Sequence, residues 1–149
     1  MKTNNLIYLT QLLLLSFPAL LAGQSQALIF AVGEYRHLEQ EPSTAIADAA
    51  ALGAVLSARF GFYVEVVENP ARADIEEKLE EYRLRQERDL SLSRGQLLLY
   101  FIGRGAEENG AGCFLPADAD LNQLAATALP WHHLLAEIAS IECSHILVV

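Results

Sequence analysis

The stretch Gly95–Asp120 reads GQLLLYFIGRGAEENGAGCFLPADAD, and it decides the fold. Leu97–Ile102 is apolar throughout, without the alternation of a strand that has one wet face. Such a run predicts a strand buried on both sides, in a parallel sheet covered by helices. It stops at Gly103-Arg104-Gly105. Flanking glycines free the backbone there, so Arg104 is expected to be displayed at the strand's C-terminal end. In open parallel sheets that edge is where ligands and chemistry collect. Asn109-Gly110 is a tight-turn signal, and Phe114-Leu115-Pro116 reads as a short return segment before an acidic loop.

Upstream, Leu28–Val32 reads as the first buried strand, ended by Gly33. A polar loop, Glu34–Glu41, follows. Pro42, Ser43 and Thr44 give helix-start signals. Ala45, Ala49, Leu52, Leu56 and Phe60 fall at helical spacing, with Gly61 as the stop. The alanines and Gly53 predict close packing on the sheet. Phe62–Val67 is the second strand, broken by Asn69-Pro70. A helix over Arg72–Arg88 turns Ile75, Leu79 and Tyr82 inward, and Glu81 can pair with Arg85 one turn on. Downstream, Pro130 is placed as the first residue of a third helix. Its buried stripe is Trp131, Leu134, Leu135, Ile138 and Ile141. Cys143–Val149 is the fourth strand. Alternating strands and helices predict a three-layer α/β/α domain with a parallel sheet.

Several pieces of this chain, taken in order, resemble the caspase-like cysteine peptidases, on the metacaspase side. They are Leu28–Gly33, Asp48-Ala49, Gly61-Phe62, Gly103-x-Gly105 and Leu115-Pro116-x-Asp118-x-Asp120. The resemblance runs over 27–149 and implies the caspase–hemoglobinase fold. In that family the residue between the two glycines is the catalytic histidine, and the cysteine follows the fourth strand. Here the first position is Arg104. Caspase spacing puts the nucleophile roughly 50 residues after the histidine, beyond Val149. The chain is therefore read as a partial domain, truncated after its fourth strand. The family's sheet continues past that strand, so the strand is expected to form an apolar edge, an aggregation hazard that a partner would cover.

The chemistry sharpens the departure. A cysteine peptidase needs a thiolate and an imidazole that both takes and gives a proton. A guanidinium stays protonated, with a pKa above roughly 12, and has no acceptor nitrogen. Arg104 is instead expected to pin its loop to an acidic neighbour, with drift to a solvent-facing residue as the alternative. The proton-transfer reading requires residue 104 to face the end of the fourth strand. Substitute candidates are His37, in the loop after the first strand, and Cys113, nearer the catalytic edge. Cys143 and His145 lie at the wrong end of the fourth strand, about 20 Å away at the rise of an extended chain. His132 and His133 are expected on different sides of a helix, unlike an i, i+4 metal pair. Asp118 and Asp120 are read as positioning a polar loop rather than binding a cation. No cofactor and no metal is expected.

The chain has 149 residues, 52% of them apolar, enough for the core of one domain. Its net charge of −9 argues against nucleic acid and anionic membranes. A peptide or protein is the expected partner. Residues 1–23 look like an export signal: Lys2, the apolar run Leu12–Ala22, and small residues at Ala22-Gly23. A cleaved signal is favoured over a membrane anchor, because Thr10, Gln11 and Pro18 interrupt the apolar stretch. The expected location is secreted or periplasmic. Cys113 and Cys143 are expected to be free, at opposite ends of neighbouring strands.

The leading functional expectation is an exported caspase-like domain, catalytically inactive in this form: a pseudo-peptidase or N-terminal fragment. One alternative is a cysteine endopeptidase whose nucleophile lies in further sequence. Another is a peptide- or protein-binding module.

Overall fold

A computed structural model describes residues 23–149. The export-signal expectation falls on residues 1–22, outside the described residues. Among the described residues no helix is long and apolar enough to cross a membrane.

Four parallel strands form the central sheet, in the order β2-β1-β3-β7. They are β1 (Ser25–Ala31), β2 (Tyr63–Glu68), β3 (Gln96–Ile102) and β7 (His145–Val148). Helix α1 (Ala45–Phe60) joins β1 to β2; α2 (Arg72–Arg88) and the single turn α3 (Leu90–Ser93) join β2 to β3. β1 is the most buried strand: Ala27 to Ala31 are all 0% exposed. The continuous apolar run of β3 is explained by its place between β1 and β7 and by its two covered faces.

Those faces carry separate cores. On one, Ile29 and Ala31 meet Ala49, Ile46 and Leu52 of α1. A Cβ on Gly53 would come within 3.1 Å of the Val64 side chain, so glycine lets this helix sit close to β2. On the other, Leu28, Phe30, Leu97 and Leu99 pack with Ile75, Leu79 and Tyr82 of α2. Leu134 and Ile138 of a later helix, α5 (Trp131–Ala139), join them. The result is the three-layer α/β/α arrangement.

A second sheet interrupts the parallel order. β4 (Gly105–Glu108), β5 (Ala111–Phe114) and β6 (Leu129–Pro130) pair antiparallel. Asn109 and Gly110, at φ 51° and 80°, make the two-residue hairpin between β4 and β5. The turn and the return segment follow from the sequence; the sheet they build does not.

Other boundaries move slightly. Pro130 caps α5 rather than starting it, because its backbone is extended and pairs with Cys113. Leu135 is 50% exposed and Phe60 is 65% exposed, so neither belongs to its predicted buried stripe. Phe60 is the last residue of α1, where Gly61 at φ 70° already turns the chain away. His132 and His133 do not part: their rings lie 4.3 Å apart, both exposed. Glu81 and Arg85 pair at 3.5 Å as expected.

One buried polar contact ties α2 to β1. Gln86 Nε2 donates to Gln26 Oε1 at 2.9 Å, and Gln86 Oε1 has no partner among the described residues. A buried amide stripped of its partner costs about 1–3 kcal/mol, whereas an apolar pair of similar size can be neutral. Gln86→Leu alone should therefore lower stability by about that amount. The double replacement with Gln26→Leu should recover most of the loss in a urea titration.

Candidate functional site

The C-terminal edge of the parallel sheet is built by the loop 32–44, the end of β3 and the residue after β2. Val32 N donates to Ile102 O at 2.8 Å, extending the β1–β3 ladder one step past β1. The chain then leaves the sheet. Asn69, in the left-handed region at φ 48°, donates its N–H to Ala31 O at 2.7 Å. Its Oδ1 accepts from Gly33 N and Glu34 N, at 2.8 and 2.9 Å. Arg36 N donates to Ala117 O at 2.8 Å.

Arg104 stands at the top of β3, between two glycines that are needed for space rather than for backbone freedom. Neither has a positive φ. A Cβ on Gly103 would lie 3.0 Å from Tyr35 Oη and 3.1 Å from the Phe114 ring. One on Gly105 would lie 3.3 Å from Cys113 O. This crowding also means Arg104 is tucked in rather than displayed. Its backbone N donates to Tyr35 Oη at 2.6 Å, and its carbonyl accepts from Leu115 N at 3.0 Å. The guanidinium lies over the Tyr35 ring, 5.0 Å from the centroid. Nη1 donates to Glu39 O at 3.1 Å, and Nη2 pairs with Glu41 Oε2 at 2.8 Å.

The expected acidic neighbour thus exists, and it is Glu41. The side chain does not face the end of the fourth strand, so the orientation that the proton-transfer reading requires is not met. Its polar partners all come from the loop after β1, on the other side of β3 from β7. β3 runs beside the end of β7 as far as Phe101, whose N donates to Val149 O at 2.9 Å, three residues before Arg104.

Tyr35 was not singled out by sequence, and it is 4% exposed. Burial raises its pKa, against the lowering influence of the Arg104 N–H and of the Arg104 charge. The phenol therefore stays protonated at neutral pH and serves as a fixed acceptor for Arg104.

The remaining candidates scatter. His37 is exposed in the same loop and does not line the cavity beside Arg104. Cys113 is 1% exposed on β5, inside the larger core, with its thiol toward Ala111 O. That is the setting of a packing thiol and not of a thiolate. Both cysteines are free, but they do not occupy neighbouring strands of one sheet. Cys113 lies in the antiparallel sheet, and Cys143 precedes β7 with its sulfur near Gly95 O and His145 O. His145 pairs with Gln96, at the N-terminal end of the parallel sheet. Cys143 and His145 are therefore both far from Arg104.

Asp118 and Asp120 hold protein groups. Asp118 Oδ1 accepts from Arg72 N at 2.9 Å, satisfying one free donor at the start of α2 from 46 residues away. Asp120 Oδ1 accepts from Asn122 N at 2.9 Å and opens a short 3-10 turn, Leu121–Gln123, followed by the single helical turn α4 (Leu124–Thr127). Among the described residues no group of three His, Cys, Asp or Glu side chains could hold a metal.

A cavity of about 330 Å³ lies beside Arg104. Its lining includes Gly33, Glu41, Thr44, Asp48, Ile102 and Arg104. Thr44 Oγ1 donates to Asp48 Oδ2 at 2.6 Å. Such an opening can take a side chain or a short extended segment.

The caspase domain model matches residues 24–142. No curated protein matches the chain. The match begins three residues before the stretch read from sequence and stops seven residues before its end, short of β7; it includes β1, β3, the Arg104 site and the antiparallel hairpin. This chain belongs to the caspase domain family, as a homologue of its cysteine peptidases.

Proposed function

We propose that this polypeptide is a catalytically inactive caspase-like domain, a pseudo-peptidase that holds peptide or protein at its C-terminal sheet edge without cutting it. Arg104 carries the reading. It occupies the position between the two glycines, and its guanidinium is committed to Glu41 and to Glu39 O. Its chemistry and its turn away from the fourth strand count here, not the facing orientation: a permanently charged donor cannot take a proton from a thiol, nor return one to a leaving amine. Neither cysteine compensates, since Cys113 is buried and Cys143 lies at the opposite sheet edge. The cavity beside Arg104 supports retained binding. The lysine and apolar run of residues 1–23 support export, and the charge of −9 supports a partner other than nucleic acid.

The test is hydrolysis of fluorogenic peptides carrying arginine, lysine or aspartate at the cleaved position. No turnover above buffer is expected from this chain, and Arg104→His should not create any. Hydrolysis abolished by a thiol-alkylating reagent would overturn the proposal.

A further inference from the structure

We infer that the loop 33–44 is a strap in two halves, and that Arg104 works as an electrostatic latch on the outer half. The inner half is tied by neutral contacts. Asn69 accepts from Gly33 N and Glu34 N, Arg36 N reaches Ala117 O, and Tyr35 is buried against the core. None of these depends on a charge. The outer half is different. Gln40 folds back on its own loop, donating to Tyr35 O and Leu38 O, and so gives no tie to the sheet. Among the described residues, the polar ties that residues 39–41 make beyond their own loop are the two made by the Arg104 guanidinium. Glu41 also lines the cavity, and its side chain is 69% exposed.

The latch has one sturdy element and one weak one. Arg104 is fixed from below: its N–H is held by Tyr35 Oη, and its guanidinium rests on the Tyr35 ring. Glu41 is held only by the ion pair and by the loop. An exposed pair of this kind is screened by salt and shifts an equilibrium modestly. Leu38 packs on the core, and Ser43 and Thr44 are bonded to the first turn of α1, so residues 39–42 swing between these two anchors and open the cavity when the pair is broken. The Arg104 side chain, turned toward the loop after β1, serves as a fastener. The inference does not depend on whether the edge binds peptide.

Nitroxide labels read both halves. One replaces Glu39, whose backbone carbonyl still accepts from Arg104; the other replaces Glu34 in the inner half. Both use a Cys143→Ser background, with Cys113 buried. For the label at 39, raising salt from about 20 mM to 500 mM should increase the mobile fraction of the spectrum. The open-to-closed ratio should rise about two- to fivefold, as expected for an exposed ion pair. Glu41→Gln should give the high-salt spectrum at low salt and remove the salt response, and Arg104→Ala should do the same. The label at 34 should be unchanged throughout. A spectrum at 39 indifferent to salt and to both substitutions would overturn the latch. Equal loosening at 34 and 39 would overturn the division into halves. Circular dichroism on each variant separates either result from unfolding.

Discussion

Phe30→Ala should lower the unfolding free energy by about 3–5 kcal/mol, the range for removing a fully buried aromatic ring. Phe30 is 0% exposed and heads the largest fully buried side chains. Its ring stacks on Phe101 with centroids 5.1 Å apart. Phe101 in turn meets Phe114 edge-on at 5.4 Å and Trp131 edge-on at 5.4 Å. The ring chain thus runs from the most buried strand, through β3, into the antiparallel sheet and the start of α5. Removing its first member leaves a cavity beneath the segment that presents Arg104. Phe30→Leu keeps most of the volume and should lose at most about half as much. Urea unfolding with an unchanged m-value is the measurement. A loss below about 1 kcal/mol would contradict the packing described.

The second large effect is at Asn69. Asn69→Ala removes the acceptor of two backbone N–H groups and places a Cβ residue without a polar tip at φ 48°. Each lost bond is worth about 1 kcal/mol. Left-handed backbone adds about 1 kcal/mol for alanine. A total near 2–3 kcal/mol is expected, because water can reach the Glu34 N–H and soften its share. Asn69→Gly should recover only the backbone part. Asn69→Asp keeps an acceptor and tolerates this conformation, so it should stay closest to the native protein. If alanine and glycine proved equal, the backbone contribution would be absent. If aspartate fared no better than alanine, the two hydrogen bonds would not be holding the loop.

Together the two substitutions probe different links. Phe30 acts through the core that supports the edge, and Asn69 acts directly on the loop that forms it. Neither touches the Arg104–Glu41 pair, so both leave the salt response of the outer strap as an independent readout.

Much of this molecule was legible one segment at a time. Arg72–Arg88 reads as a helix because its inward residues recur at helical spacing over an otherwise charged surface, and the structure has that helix with those bounds. The run Leu97–Ile102 declares a strand covered on both faces, since no water-facing register exists for it. Asn109-Gly110 specifies a hairpin because both residues tolerate positive φ. Even the chemical departure was visible, for the identity of residue 104 between two glycines needs no coordinates. What a linear reading could not reach were contacts made across long separations. Tyr35 lies 69 residues from Arg104, Asn69 lies 36 from Gly33, and Asp118 lies 46 from the helix it caps. No periodicity encodes such pairs. Local pattern follows from dihedral preference and from which side meets water, and each residue carries that information itself. Which way the guanidinium turns is decided only after folding, when a parallel sheet brings the ends of β1, β2 and β3 to one edge and crowding there leaves Glu39 and Glu41 as its partners.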